Sequence, residues 1–162
     1  MKLRLDTHTA ALHRDDRETA PADEIAAFER LWLLRTRGLV LEMSAALGLV
    51  SELSYDSATS GAILAGDAAA RKQMLDAYTC LTSLEERLEA LGPAPQRFSA
   101  VQSILAGAFR SFATAADAFA TGTEDTVDLD VLARIPSLME EGRAMLDELH
   151  RGNSAAVSDN GC

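Results

Sequence analysis

Apolar residues in the middle of the chain recur at alternating steps of four and three. Ala70, Met74, Ala77, Leu81, Leu84, Leu88 and Leu91 keep this alternation without a miss. The spacing lines one narrow face of an α-helix and predicts a helix over about 68–91. The same pattern returns at Phe98, Val101, Leu105, Ala108, Phe112, Ala115 and Phe119. It returns again at Val131, Ile135, Leu138, Gly142, Met145 and Leu149, flanked by Leu132, Met139 and Leu146. Three consecutive seams of this kind predict helices packed side by side.

Breakers and caps set the boundaries. Pro21, followed by Asp23 and Glu24, suits a helix start. No strong stop follows until Gly66–Asp67, so the first helix is expected over about 22–65. Gly38, Gly48 and Gly61 weaken it, and Ser54 to Gly61 is its poorest piece, which leaves it either continuous or broken near 54–61. Asp67 is a good N-cap for the second helix. Between the second and third helices stands LEALGPAPQRFSAVQ, Leu88 to Gln102. Gly92 is placed to end a helix in the left-handed conformation, Pro93 forbids continuation, and Pro95 suits the first turn of the next helix. With intact seams hard against both ends, this is a tight corner and not a domain linker. Gly122 closes the third helix, and Asp128 or Asp130 caps the fourth, expected over about 129–150. Pro136 either kinks that helix or marks its true start near Ile135 after a short turn. The expected fold is all-α: an up-and-down antiparallel four-helix bundle with a long first helix. Residues 1–20 read as a flexible polar arm, 21–150 as the bundle domain and 151–162 as a flexible tail.

The stretch from Leu88 to Leu149 resembles the second half of a class of uncharacterised bacterial helical-bundle proteins. In that class a Leu-x-Pro-x-Pro corner, here Leu91 to Pro95, leads into an amphipathic helix, a Gly/Asp loop and a last helix. The resemblance implies a helical bundle and no particular activity. Members often carry an export signal or lipid anchor. The opening residues MKLRLDTHTAALHRDDRE do not read as one, because Asp6 and His8 interrupt any apolar run. A cytoplasmic location is the expectation, with export the alternative if a leader was removed.

Charge narrows the function classes. The formal net charge is −10 and no basic patch interrupts it, which argues against nucleic acid or an anionic membrane as partner. The most apolar window, Leu31 to Val50, contains Arg35, Arg37 and Glu42. Each charge there costs about 2.5–3.5 kcal/mol on insertion, so no spanning helix is expected. A carboxylate-bridged metal pair needs Glu-x-x-His motifs, and the nearest approach is Asp147 with His150. In the arm, His8 and His13 stand with Asp15 and Asp16, but two histidines five apart do not align on a helix face, and an acid-flanked polar arm is the expectation. No phosphate loop or Gly-x-Ser-x-Gly occurs, and Cys80 and Ser83 have no activating base in view. Cys80 and Cys162 read as unpaired thiols. The chain is therefore expected to be non-enzymatic, with no catalytic residue, metal or cofactor.

The first helix carries more apolar surface than this scheme can hide. One row is Leu33, Val40, Met43, Leu47 and Val50, running on to Leu64; another is Ala27, Leu31, Leu34, Gly38, Leu41, Ala45 and Gly48. Phe28, Trp32 and Leu39 lie on a further side. Three shorter helices cannot cover all of it. Phe28, Leu31, Trp32, Leu34, Leu39 and Leu41 are thus the candidate interaction surface, used for self-association or to dock a partner helix. Burying about 600–800 Å² per chain would be worth roughly 15–20 kcal/mol before association costs. The alternative function is small-molecule binding in an apolar pocket between the phenylalanine-bearing third helix (Phe98, Phe109, Phe112, Phe119) and Met139 and Met145 of the fourth.

Overall fold

A computed structural model describes residues 22–158, with side chains to 151. Among the described residues the protein is all-helical, with no strand. In order come α1 (Ala22–Tyr55), α2 (Ser57–Leu64), α3 (Ala68–Ala90), a 3-10 turn (Gln96–Phe98), α4 (Ser99–Gly122), α5 (Leu129–Leu132) and α6 (Ile135–Ser158). The arm at 1–20, with its His8, His13, Asp15 and Asp16, lies outside the described residues, as does Cys162.

The first helix is broken at Asp56. Its backbone is extended (φ −71°, ψ 107°), and its carboxylate accepts from the Ala58 and Thr59 amides and from the Thr59 hydroxyl. An N-cap here restarts the chain as a separate short helix. α2 then ends in a paired glycine cap. Gly66 takes φ +86°, its N–H donates to the Ile63 carbonyl, and the Asp67 N–H donates to the Ala62 carbonyl. Those bonds satisfy carbonyls that the helix end would leave bare. Asp67 at once caps α3 by accepting from Ala70 N at 2.7 Å.

The stretch after α3 is a corner. Gly92 has φ +75° and Pro95 is buried. Gln102, in the first turns of α4, reaches back to fix it: its Oε1 accepts from Ala94 N at 2.7 Å, and its Nε2 donates to the Gly92 carbonyl at 2.9 Å. At the other junction Asp128 caps α5, and α6 begins at Ile135. Pro136 therefore sits in the first turn of α6, where a missing N–H costs nothing and no kink is needed. α6 also runs on to Ser158, past the boundary at 150 expected from sequence. Gly152 costs about 1 kcal/mol of helix propensity, less than a stop requires, and the Ala-rich residues after it favour helix.

α4 is the central helix, packed along both α3 and α6. Two partners demand two rows, and α4 buries Leu105, Ala108, Phe109, Phe112, Ala115, Ala116 and Phe119. Two glycines let α4 and α6 approach closely. A Cβ on Gly142 would lie 2.5 Å from the Phe112 ring, and one on Gly107 would lie 2.8 Å from Met145 Sδ. α1 packs along α3. Its 34 residues reach about 51 Å, against about 35 Å for the 23 of α3. The seam it buries is Trp32, Thr36, Leu39, Met43, Ala46, Val50 and Leu53, again in steps of four and three. The corner after α3 comes beside the start of that seam. There Trp32 stacks on Phe98 with centroids 5.6 Å apart, and Arg97 pairs with Glu29 at 2.8 Å.

Candidate functional site

Outside the packed interior lie the outward face of α1 and several clefts, two of which adjoin around Tyr78 where α1, α2, α3 and α6 meet the ends of α4 and α5.

The six residues expected to form an interaction surface on the first helix divide. Trp32 and Leu39 are 2% and 4% exposed, buried in the molecule's own core. Their place in the candidate surface is corrected accordingly: both belong to the inner seam, which runs through polar Thr36 between them. Phe28, Leu31, Leu34 and Leu41 are exposed, at 49%, 47%, 67% and 61%. They have two physical origins. Ile25 and Phe28 extend the inner seam by steps of three and four from Trp32, beyond the corner that covers it. Leu31, Leu34 and Leu41 lie on the opposite side of the helix with Ala27, Gly38, Ala45 and Gly48, at the same four-three spacing. α3 borders that side along one edge, where Leu34 and Gly38 line a cleft with Arg87, Ala90 and Leu91.

The basic residues of α1, Arg30, Arg35 and Arg37, all precede Leu41, together with Asp23, Glu24 and Glu29, whereas Glu42 and Glu52 follow it. None of the three arginines forms an ion pair among the described residues. Glu42 forms a two-pronged pair with Arg87 of α3, with one contact at 2.9 Å. The Arg87 guanidinium, chiefly by hydrogen bonding, holds the Glu42 carboxyl below the usual carboxylate range and is itself raised.

The two adjoining clefts lie at the far end of α1, beside its break. The first, of about 340 Å³, is lined by Val50, Ser51, Ser54 and Tyr55 of α1, Tyr78 of α3, and Ile135, Pro136, Met139, Glu140 and Arg143 of α6. The second, of about 290 Å³, shares Ser54, Tyr78, Ile135 and Pro136 and adds Ile63, Leu64, Met74, Phe119 and Leu132. Tyr78 is 4% exposed and stacks on Phe119, with centroids 5.2 Å apart. Its hydroxyl makes no hydrogen bond to any described residue. Burial pushes its pKa up to about 12, against the weaker opposing pull of the Arg143 guanidinium. The phenol is therefore a proton donor throughout the neutral range. Arg143 Nη2 donates to Ser51 Oγ at 3.0 Å across the mouth of the first cleft.

The seam between α4 and α6, where a ligand pocket was the alternative expectation, is filled by the Phe112–Gly142 and Met145–Gly107 contacts. Phe109 and Phe112 are fully buried. Of the residues named for that pocket, Phe119 and Met139 line the open clefts instead. Sequence reasoning passed over Tyr78, Ser54 and Arg143. The one signal for them was Tyr78 itself, a polar-tipped ring directly beside the seam residue Ala77.

Cys80 is exposed, and its thiol donates to the Asp76 carbonyl at 3.4 Å. Among the described residues no group of three or more His, Cys, Asp or Glu side chains is placed to hold a metal ion. No described helix is long and apolar enough to cross a membrane. No protein-family model, curated protein or solved structure matches the chain.

Proposed function

We propose that the protein is a non-catalytic association module, an up-and-down bundle of its four long helices that pairs with a second copy of itself through the outward face of α1. The observation that carries this reading is the outward row Ala27, Leu31, Leu34, Gly38, Leu41, Ala45 and Gly48, exposed except at the half-buried Gly38, on a helix whose other side is already buried. A self-complementary stripe of large and small residues fits an isologous interface about a two-fold axis.

The positions of Arg30 and Glu52 on this face favour the antiparallel arrangement. With Leu41 meeting its own copy at the axis, Leu34 comes opposite Gly48 and Arg30 opposite Glu52 of the other chain. A large residue then faces a small one at Leu34 and Gly48, and Arg30 meets a carboxylate of opposite charge. Parallel pairing would set arginine beside arginine.

Size-exclusion chromatography with light scattering tests this. The wild type should elute at twice the chain mass of 17.3 kDa. Leu34→Glu with Leu41→Glu should give the single-chain mass with unchanged helicity, because both side chains are solvent-facing in one copy. Arg30→Glu should weaken association, and adding Glu52→Arg should restore it. A wild type that stays monomeric at high concentration would sink the proposal.

A further inference from the structure

The clefts around Tyr78 carry an inference separate from self-association. They meet at Ser54, Tyr78, Ile135 and Pro136, forming one bent groove with an apolar arm and a polar arm. The apolar arm is walled by Ile63, Leu64, Met74, Phe119 and Leu132. The polar arm opens past Ser51, Ser54, Glu140 and Arg143. Volumes of about 340 and 290 Å³ lie near the lower end of those that take small ligands, roughly 300–1,000 Å³.

The decisive group is the Tyr78 hydroxyl. It is the tip of a side chain more than nine-tenths buried, it has no partner among the described residues, and Tyr78 lines both arms. Unlike Trp32 Nε1 and Thr36 Oγ1, the hydroxyl oxygen is not sealed from solvent, so an acceptor entering the groove can reach it. Arg143 places a second donor at the same end, with one guanidinium nitrogen already held by Ser51. Two donors beside an apolar trough suit an acceptor-only head group on a hydrocarbon body. Glu140, on the same rim, works against an anion, and its removal is accordingly part of the test.

We propose that this groove binds a small aliphatic monocarboxylate. Its carboxylate accepts hydrogen bonds from the Tyr78 hydroxyl and the Arg143 guanidinium, and its chain lies over Ile63, Met74, Phe119 and Ile135. The Tyr78 phenol serves as donor in its neutral form, and no bond is made or broken.

Isothermal titration of the full chain with decanoate at neutral pH, below micelle formation, gives the readout. Decanoate should bind at one site per chain. Tyr78→Phe and Arg143→Gln should each weaken binding about tenfold or more, as expected for a lost hydrogen bond to a charged group. Glu140→Gln should strengthen it. Decanol should bind more weakly than decanoate. Tyr78→Phe removes an atom that holds nothing in the free protein, so its unfolding midpoint should not fall, which separates lost binding from lost folding. The Leu34→Glu, Leu41→Glu variant should bind decanoate as the wild type does, which locates the site away from the leucines of α1. No binding, equal affinity in Tyr78→Phe, or decanol binding as tightly as decanoate would each overturn the assignment.

Discussion

Replacing Gly142 with alanine should destabilise the protein, although the same change at an open helical position should stabilise it. Gly142 lies inside α6, where alanine is favoured over glycine by about 0.8–1 kcal/mol. Its added Cβ would stand 2.5 Å from both Cε1 and Cζ of Phe112, where carbon atoms normally rest about 3.5–4.0 Å apart. Phe112 is fully buried, so its ring cannot swing aside without moving its neighbours or separating α4 from α6. Overpacking of this kind costs about 1–3 kcal/mol, and an overlap of about 1 Å on two ring atoms belongs at the upper end. The net loss should be about 2 kcal/mol. With a urea m-value of roughly 2 kcal/mol/M, the midpoint should fall by about 1 M at unchanged slope. Gly61 is the control: it sits in α2 with nothing within 4 Å of the position an added methyl would take, and Gly61→Ala should raise the midpoint. Gly107→Ala should fall between, because the atom it meets is the mobile end of Met145. A Gly142→Ala midpoint at or above wild type would refute the close packing of α4 on α6.

Two further outcomes follow from the interface of α1 with α3 and the start of α4. The Thr36 hydroxyl is buried without a partner, so Thr36→Val should raise stability by about 1 kcal/mol in the same urea assay, while a loss would mean that the hydroxyl is satisfied. Glu42 has a folded pKa below its ordinary 4.5, so its pairing with Arg87 stabilises fully above that value and is lost as the pH falls through the lowered one. Measured across acid pH, the difference between wild type and Glu42→Gln should be present at neutral pH and vanish in strong acid. A difference independent of pH would contradict the assignment.

The regularly spaced helices were the legible part of this sequence. The seam of α3 and the corner from Gly92 to Pro95 depend on local spacing and on residues whose backbone limits are intrinsic, so they transfer directly to structure. The alternative start of α6 at Ile135 was legible for the same reason, since Pro136 fits a first turn. The inner seam of α1 was harder to see. Thr36 interrupts it chemically without interrupting it geometrically, and two of its members, Met43 and Val50, were read into a row with the exposed Leu33. With large apolar residues on every side, hydrophobicity alone does not separate the faces; the position of α3 decides which one is covered. The groove was less legible still. It exists because Asp56 ends α1 beside Tyr78 and α6, a meeting of six separate elements that no local pattern encodes.

The lopsided placement of α4 and α1 has a consequence for how the molecule comes apart. α4 is clasped from both sides, whereas α1 rests chiefly along α3 and carries two orphaned polar atoms, Trp32 Nε1 and Thr36 Oγ1, on its buried side. Partial opening will thus begin by peeling α1 away, with the Asp56 break as the natural hinge, while the α3–α4–α6 layer persists. Amide protons of α1 will then report a sub-global opening energy, and those of α4 the energy of complete unfolding.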